Sequence, residues 1–145
     1  MKTVLLVDDE QDYLEALADA LEYEEYRVLK ARTGSEALAI LRSARVDLIS
    51  VDIMMPPGPD LEGETSSHRT GVYLCRKLRQ LYPQMDIFCI SVVSDQATIR
   101  EIESLRVRFL RKGETPLRTV LDHMRSRLTG IAYTPDRRRS RDDRK

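Results

Sequence analysis

The segment VDLISVDIMMP, residues 46–56, decides how the rest of the chain is read. It is an apolar run that ends on one carboxylate, Asp52. It then opens into PPGPDLEGETSSHR, residues 56–69, rich in Pro, Gly, Ser and charge. A nearly uninterrupted apolar run reads as a strand buried on both faces of a parallel sheet. A carboxylate at the carboxyl end of such a strand lies where open α/β sheets bind ligands.

Outward from this strand, short apolar runs alternate with helical patterns. Further strands are predicted at Thr3–Val7, Tyr26–Ala31, Asp86–Val93 and Val107–Arg111, with the central one at Val46–Val51. Apolar residues at helical spacing fall between them: Leu14, Leu17, Ala18 and Leu21; Ala37, Leu38 and Leu41; Leu74, Cys75, Leu78 and Leu81; Ile99 and Ile102; Leu117, Val120, Leu121, Met124 and Leu128. Strict alternation implies a doubly wound α/β fold with helices on both faces of a parallel sheet. YRVLKA and VRFLR carry interspersed basic residues, which suits edge strands. The second and fifth strands are therefore edges, and the predicted order is the flavodoxin-like 2-1-3-4-5.

At 145 residues, with 41% apolar content, the chain is one domain with enough length to bury a core. The 24 basic and 24 acidic residues cancel, which argues against nucleic-acid binding by this domain. No apolar run is long enough to span a membrane and the amino end lacks a signal peptide's core, so a cytoplasmic protein is expected. Cys75 and Cys89 read as reduced structural thiols. Residues 131–145 read as a disordered charged tail or linker after a domain at 1–130.

The predicted order brings chemistry to one sheet edge. The first strand runs into Asp8, Asp9 and Glu10, the third ends at Asp52, the fourth near Ser91 and the fifth at Lys112. Taken singly, each has an ordinary reading: a helix cap, a satisfied hydroxyl, a solvated lysine. Together they describe a Mg2+ site, because clustered carboxylates repel unless a hard cation joins them. A carboxylate beside such an ion, a hydroxyl and an ammonium is equipped to accept a phosphoryl group.

VLLVDDE at 4–10, VDLISVDIMMP at 46–56, ISVV at 90–93 and FLRKG at 109–113 resemble the receiver domain of two-component response regulators. The resemblance covers about residues 2–129. It implies that Asp52 is the phosphoacceptor, served by a histidine kinase or phosphotransfer protein. It implies that Asp9, Asp52 and the backbone carbonyl of Met54 bind Mg2+, with Asp8 acting through water. Ser91 matches the switch hydroxyl, Lys112 the phosphate-pairing lysine, and Phe109 the aromatic that changes rotamer on activation. The face formed by the fourth helix, fifth strand and fifth helix is the expected signalling surface and a possible homodimer interface.

This chain departs from the family pattern at three places. The loop at 55–70 is longer than usual and is expected to hang over Asp52 as a surface insertion. Val92 follows Ser91 where a small residue is common, and a β-branched side chain there would narrow access to Asp52. Gly113 follows Lys112 where a cis-proline is usual, so the lysine is expected to be held differently. His68 and His123 read as surface residues. Two other functions stay open: a pseudo-receiver that binds without being phosphorylated, and a Mg2+-dependent phosphohydrolase. The latter is disfavoured because Met54 stands where those enzymes carry an acid/base aspartate.

Overall fold

Alternation along the strands sorts the apolar residues into two cores, one on each face of a single sheet. The computed structural model describes residues 1–131. Its elements are β1 (Thr3–Val7), α1 (Gln11–Tyr23), β2 (Arg27–Ala31), α2 (Gly34–Ser43), β3 (Leu48–Val51), α3 (Thr70–Leu81), β4 (Asp86–Ser91), α4 (Gln96–Glu103), β5 (Arg108–Arg111) and α5 (Leu117–Thr129). The sheet is five-stranded, parallel throughout, in the order β2-β1-β3-β4-β5. This is the predicted flavodoxin-like arrangement, with the two Arg/Lys-bearing strands at the edges.

Leu5, Val7, Ile49, Val51, Ile87 and Cys89 face α2, α3 and α4 in one core. Val4, Leu6, Leu48, Phe88 and Ile90 face α1 and α5 in the other. Burying each such side chain contributes about 1.5–3 kcal/mol before chain entropy is subtracted. Cys75 and Cys89 are both buried free thiols in the first core. Among the described residues, no helix is long and apolar enough to cross a membrane.

Several element ends differ from expectation. β2 starts at Arg27 rather than Tyr26, β3 at Leu48 rather than Val46, and β5 at Arg108 rather than Val107. The carboxylate of Asp47, just before β3, instead accepts the backbone N–H of Thr3 at 2.8 Å. β4 stops at Ser91 rather than Val93, because its neighbour β5 ends opposite it: the last pair is Ser91 with Arg111. His123 is half-buried rather than on the surface, whereas His68 is exposed as read. The predicted tail falls, from residue 132 onward, outside the described residues.

The long loop after β3 is tied down on both sides. Gly34 and Ser35, at the amino end of α2, donate their N–H groups to the carbonyls of Pro56 and Pro57 at 3.2 and 2.8 Å. The Ser35 hydroxyl donates to Pro57 and accepts from the N–H of Asp60, each at 3.1 Å. Met55 and Leu61 are buried in the first core. At the far end Arg69 pairs with Glu101 of α4 at 2.8 Å, and Arg76 joins the same carboxylate. These anchors tie the loop to α2 and α4, and no hydrogen bond among them reaches the Asp52 carboxylate.

Candidate functional site

The parallel register sets the site. Val7 pairs with Val51, so Asp8 and Asp52, each one residue further on, emerge side by side. Ser91 ends β4 opposite Arg111, and the N–H of Lys112 donates to the Ser91 carbonyl at 2.9 Å. Four strand ends thereby present Asp8, Asp9, Asp52, Ser91 and Lys112 at one sheet edge.

Lys112 is the hub. Its ammonium donates to Asp8 Oδ2 at 2.8 Å, to Asp52 Oδ2 at 3.0 Å and to Glu10 Oε2 at 3.3 Å. The side chains of Lys112, Asp8 and Asp52 are only 6%, 9% and 8% exposed. Burial disfavours the charge on Lys112, but the hydrogen bond to Asp8 and the charges of Asp52 and Asp8 outweigh it. The ammonium is thus held protonated above its ordinary range. Burial pushes the Asp8 carboxyl up to about 6, against hydrogen bonds from Lys112 and from the N–H of Glu10; the charge of Asp52 adds to the rise. Three carboxylates share one deeply placed cation, and the group remains short of positive charge.

Ligand oxygens of Asp8, Asp9 and Asp52 lie within 4.8 Å of one another, with Asp9 on the exposed side. The second oxygen of Asp52, Oδ1, is buried and accepts no hydrogen bond among the described residues. An unpartnered buried carboxylate oxygen is costly unless something binds it. Its setting suits a hard divalent cation that prefers oxygen ligands and keeps room for water. The residues present therefore fit Mg2+.

The other predicted positions are arranged around this centre. Ser91 is fully buried, and its Oγ accepts the N–H of Val93 at 3.4 Å. Met54, two residues after Asp52, sits at a bend and is 43% exposed, and Val92 is 58% exposed beside Ser91. Phe109 is half-buried, paired with Cys89 and packed against the first core. No peptide bond among the described residues is cis; Gly113 takes φ +88°, which glycine tolerates, and Lys112 still reaches both aspartates.

Three contributors escaped the sequence. Tyr13 of α1 lies beneath Lys112, whose Nζ is 4.8 Å from the ring centroid. Arg32, past the end of β2, donates to the carbonyl of Asp9 at 3.2 Å. Gly71, in the first turn of α3, packs on the Asp52 backbone so closely that a Cβ would lie 2.2 Å from the Asp52 carbonyl oxygen. Only the Thr-Gly pair opening the third apolar helix hinted at Gly71. Tyr13 and Arg32 gave no pattern that tied them to Asp52.

Comparison with known proteins bears on the family and the fold. The chain is 46% identical over 55 residues to the response regulator GtcR of Aneurinibacillus migulanus. It is 35% identical over 85 residues to the response regulator SaeR of Staphylococcus aureus. The matches take in 38% and 55% of this chain but only 23% and 37% of those proteins, so the chain spans well under half the length of these relatives. The CheY-like receiver domain protein of Methanospirillum hungatei superimposes with a TM-score of 0.76 at 23% identity, covering 90% of this chain and 95% of that one. A two-component response regulator from Clostridium difficile gives 0.75 at 20% identity, covering 89% and 97%. At these identities the structures speak for the fold. The profile of the response regulator receiver domain matches residues 4–118, most of the chain, and this protein belongs to that family.

Proposed function

We propose that Asp52 accepts a phosphoryl group from the phosphohistidine of a histidine kinase or phosphotransfer protein, and that the resulting acyl phosphate switches a protein-contact surface. The observation that carries this reading is the asymmetry of the Asp52 carboxylate. Oδ2 is held by Lys112 at 3.0 Å, while Oδ1 has no hydrogen-bond partner among the described residues. One carboxylate oxygen of Asp52 forms the new bond to phosphorus as the phosphorus–nitrogen bond of the donor breaks, leaving the other free for the metal. The histidine nitrogen keeps that electron pair and takes a proton from water. Lys112, its charge secured by the neighbouring carboxylates against the cost of burial, pairs with the incoming phosphoryl oxygens.

Asp9, Asp52 and the Met54 carbonyl would hold Mg2+, with Asp8 contributing through water. Bound there, the ion would offset negative charge on the phosphoryl oxygens. Ser91 would turn its hydroxyl to the same oxygens and Phe109 would change rotamer. The change would reach the α4-β5-α5 face, which would meet a partner or a second copy. Phosphotransfer and hydrolysis would be self-catalysed, in a cytoplasmic switch rather than an enzyme for external substrates. The domain would not itself contact nucleic acid or membrane.

Incubation with Mg2+ and acetyl phosphate or beryllofluoride tests the proposal by intact mass and by NMR. A stable adduct that needs Mg2+ and vanishes in Asp52→Ala is expected. Continuous phosphate release would point to a phosphohydrolase, and no adduct to a pseudo-receiver.

A further inference from the structure

We propose that Tyr13 is a positioning residue for the phosphorylation chemistry: its ring holds the Lys112 ammonium over Asp52 through a cation–π contact. The inference rests on Asp52 being the phosphoacceptor.

Tyr13 lies in the first turn of α1, three residues after Glu10, which also pairs with Lys112. The Lys112 nitrogen is 4.8 Å from the Tyr13 ring centroid, inside the range of roughly 6 Å over which a ring attracts a cation. The three acceptors Asp8, Asp52 and Glu10 match the three N–H donors of the ammonium. The ring needs none of those donors. It attracts the charge itself, and it does so away from water, where the lysine side chain is 6% exposed.

This difference matters when Asp52 reacts. A phosphoryl group on Asp52 requires Lys112 to exchange hydrogen bonds from carboxylate to phosphoryl oxygens. Contacts to Asp8 and Asp52 change at that moment, whereas the contact to the ring persists. The ring keeps the ammonium within reach during the exchange and limits the geometries it samples.

The ring carries the effect, not the hydroxyl. Tyr13 Oη is buried and meets no hydrogen-bond partner among the described residues. Burial, the first cause, pushes the phenol up to about 12 despite the nearby ammonium, so the ring stays neutral. The ring also packs against the α1–α5 core, which makes leucine the informative replacement: it fills space but has no π face.

Tyr13→Phe and Tyr13→Leu are compared with wild type in the full chain. One readout is the rate of phosphorylation by acetyl phosphate with Mg2+. The other is the NMR shift of the Lys112 ε-methylene protons in the protein without phosphodonor. Tyr13→Phe is expected to match wild type in both. Tyr13→Leu is expected to react about tenfold more slowly, the scale of a desolvated cation–π contact, and to lose the upfield ring shift. The Lys112 shift, read with an intact circular dichroism spectrum and unchanged melting of Tyr13→Leu, separates loss of the ring contact from a general loss of packing. An unchanged rate in Tyr13→Leu, or a Lys112 shift that does not respond to removal of the ring, overturns the inference while phosphorylation of wild type upholds the site. A wild-type protein that takes up no phosphoryl group removes the site reading and this inference with it.

Discussion

The ammonium of Lys112 lies 3.0 Å from Oδ2 of Asp52, although the two residues are 60 positions apart in the chain. The pair exists because β4 separates their strands and all run parallel, so the ends of β3 and β5 open on the same crevice. Around it gather Asp8, Asp9 and Glu10, an excess of negative charge over one cation. The charge imbalance governs both the stability of the site and its affinity for positive ligands.

Removing that cation leaves buried carboxylates without a countercharge. Lys112→Ala is expected to lose about 3 kcal/mol of stability at pH 8 without Mg2+, the usual scale for breaking a buried ion pair. The loss shrinks near pH 5 as Asp8 takes a proton. Urea denaturation at the two pH values measures it; an equal loss at both would place the effect in packing rather than charge.

The raised Asp8 carboxyl sets the sign of a pH dependence. Its pKa in the fold is about 6 against an ordinary 3.8, chiefly from burial. The folded protein therefore binds this proton more tightly than the unfolded chain does. The stability it contributes is fully present below about pH 4 and is lost as pH rises through about 6. Denaturation without Mg2+ from pH 5 to 8 is expected to show a downward slope in wild type that Asp8→Asn removes. Mg2+ affinity should run the other way and weaken below pH 6, since the ion needs the carboxylate. Identical pH profiles for wild type and Asp8→Asn would contradict the assignment.

Gly71 packs tightly on the backbone of the Asp52–Ile53 segment. A Cβ there would lie 2.2 Å from the Asp52 carbonyl oxygen and 2.5 Å from the Ile53 Cα, both main-chain atoms with little room to yield. Gly71→Ala is expected to destabilise the fold by about 2–3 kcal/mol through overpacking, and to weaken Mg2+ binding by shifting Asp52. Thermal melting and Mg2+ titration test both; wild-type behaviour in each would mean that α3 moves aside freely.

Val92 stands 58% exposed next to buried Ser91. Its branched side chain is expected to narrow the approach to Asp52 for small donors. Val92→Ala should be phosphorylated faster by acetyl phosphate, with stability little changed because an exposed valine contributes little burial. An unchanged rate would show that the side chain does not border the path.

The sheet order was legible because central and edge strands differ in composition: LISV is wholly apolar, while RVLKA and RFLR alternate with basic residues. With that order in place, Asp8, Asp9, Asp52 and Lys112 had to meet. Strand ends were less legible. Val92 and Val93 continue the apolar run of β4, and only the length of β5 stops the pairing. The loop at 55–70, rich in Pro, Gly, Ser and charge, reads as a surface insertion, yet Leu61 is 5% exposed and anchors it beside α2. One leucine in a polar run carries no periodicity to announce its burial. Tyr13 reads as an ordinary member of an amphipathic helix, since its meeting with Lys112 depends on how α1 packs beside the end of β5.

Borohydride trapping tests the central claim most directly. Reduction of the protein after exposure to acetyl phosphate and Mg2+ converts an aspartyl phosphate to homoserine, and peptide mass spectrometry locates it. Homoserine at position 52, absent without Mg2+ and absent when donor is omitted, is the predicted result. Homoserine at Asp8 or Asp9 in its place, or at no aspartate, would contradict Asp52 as the phosphoacceptor.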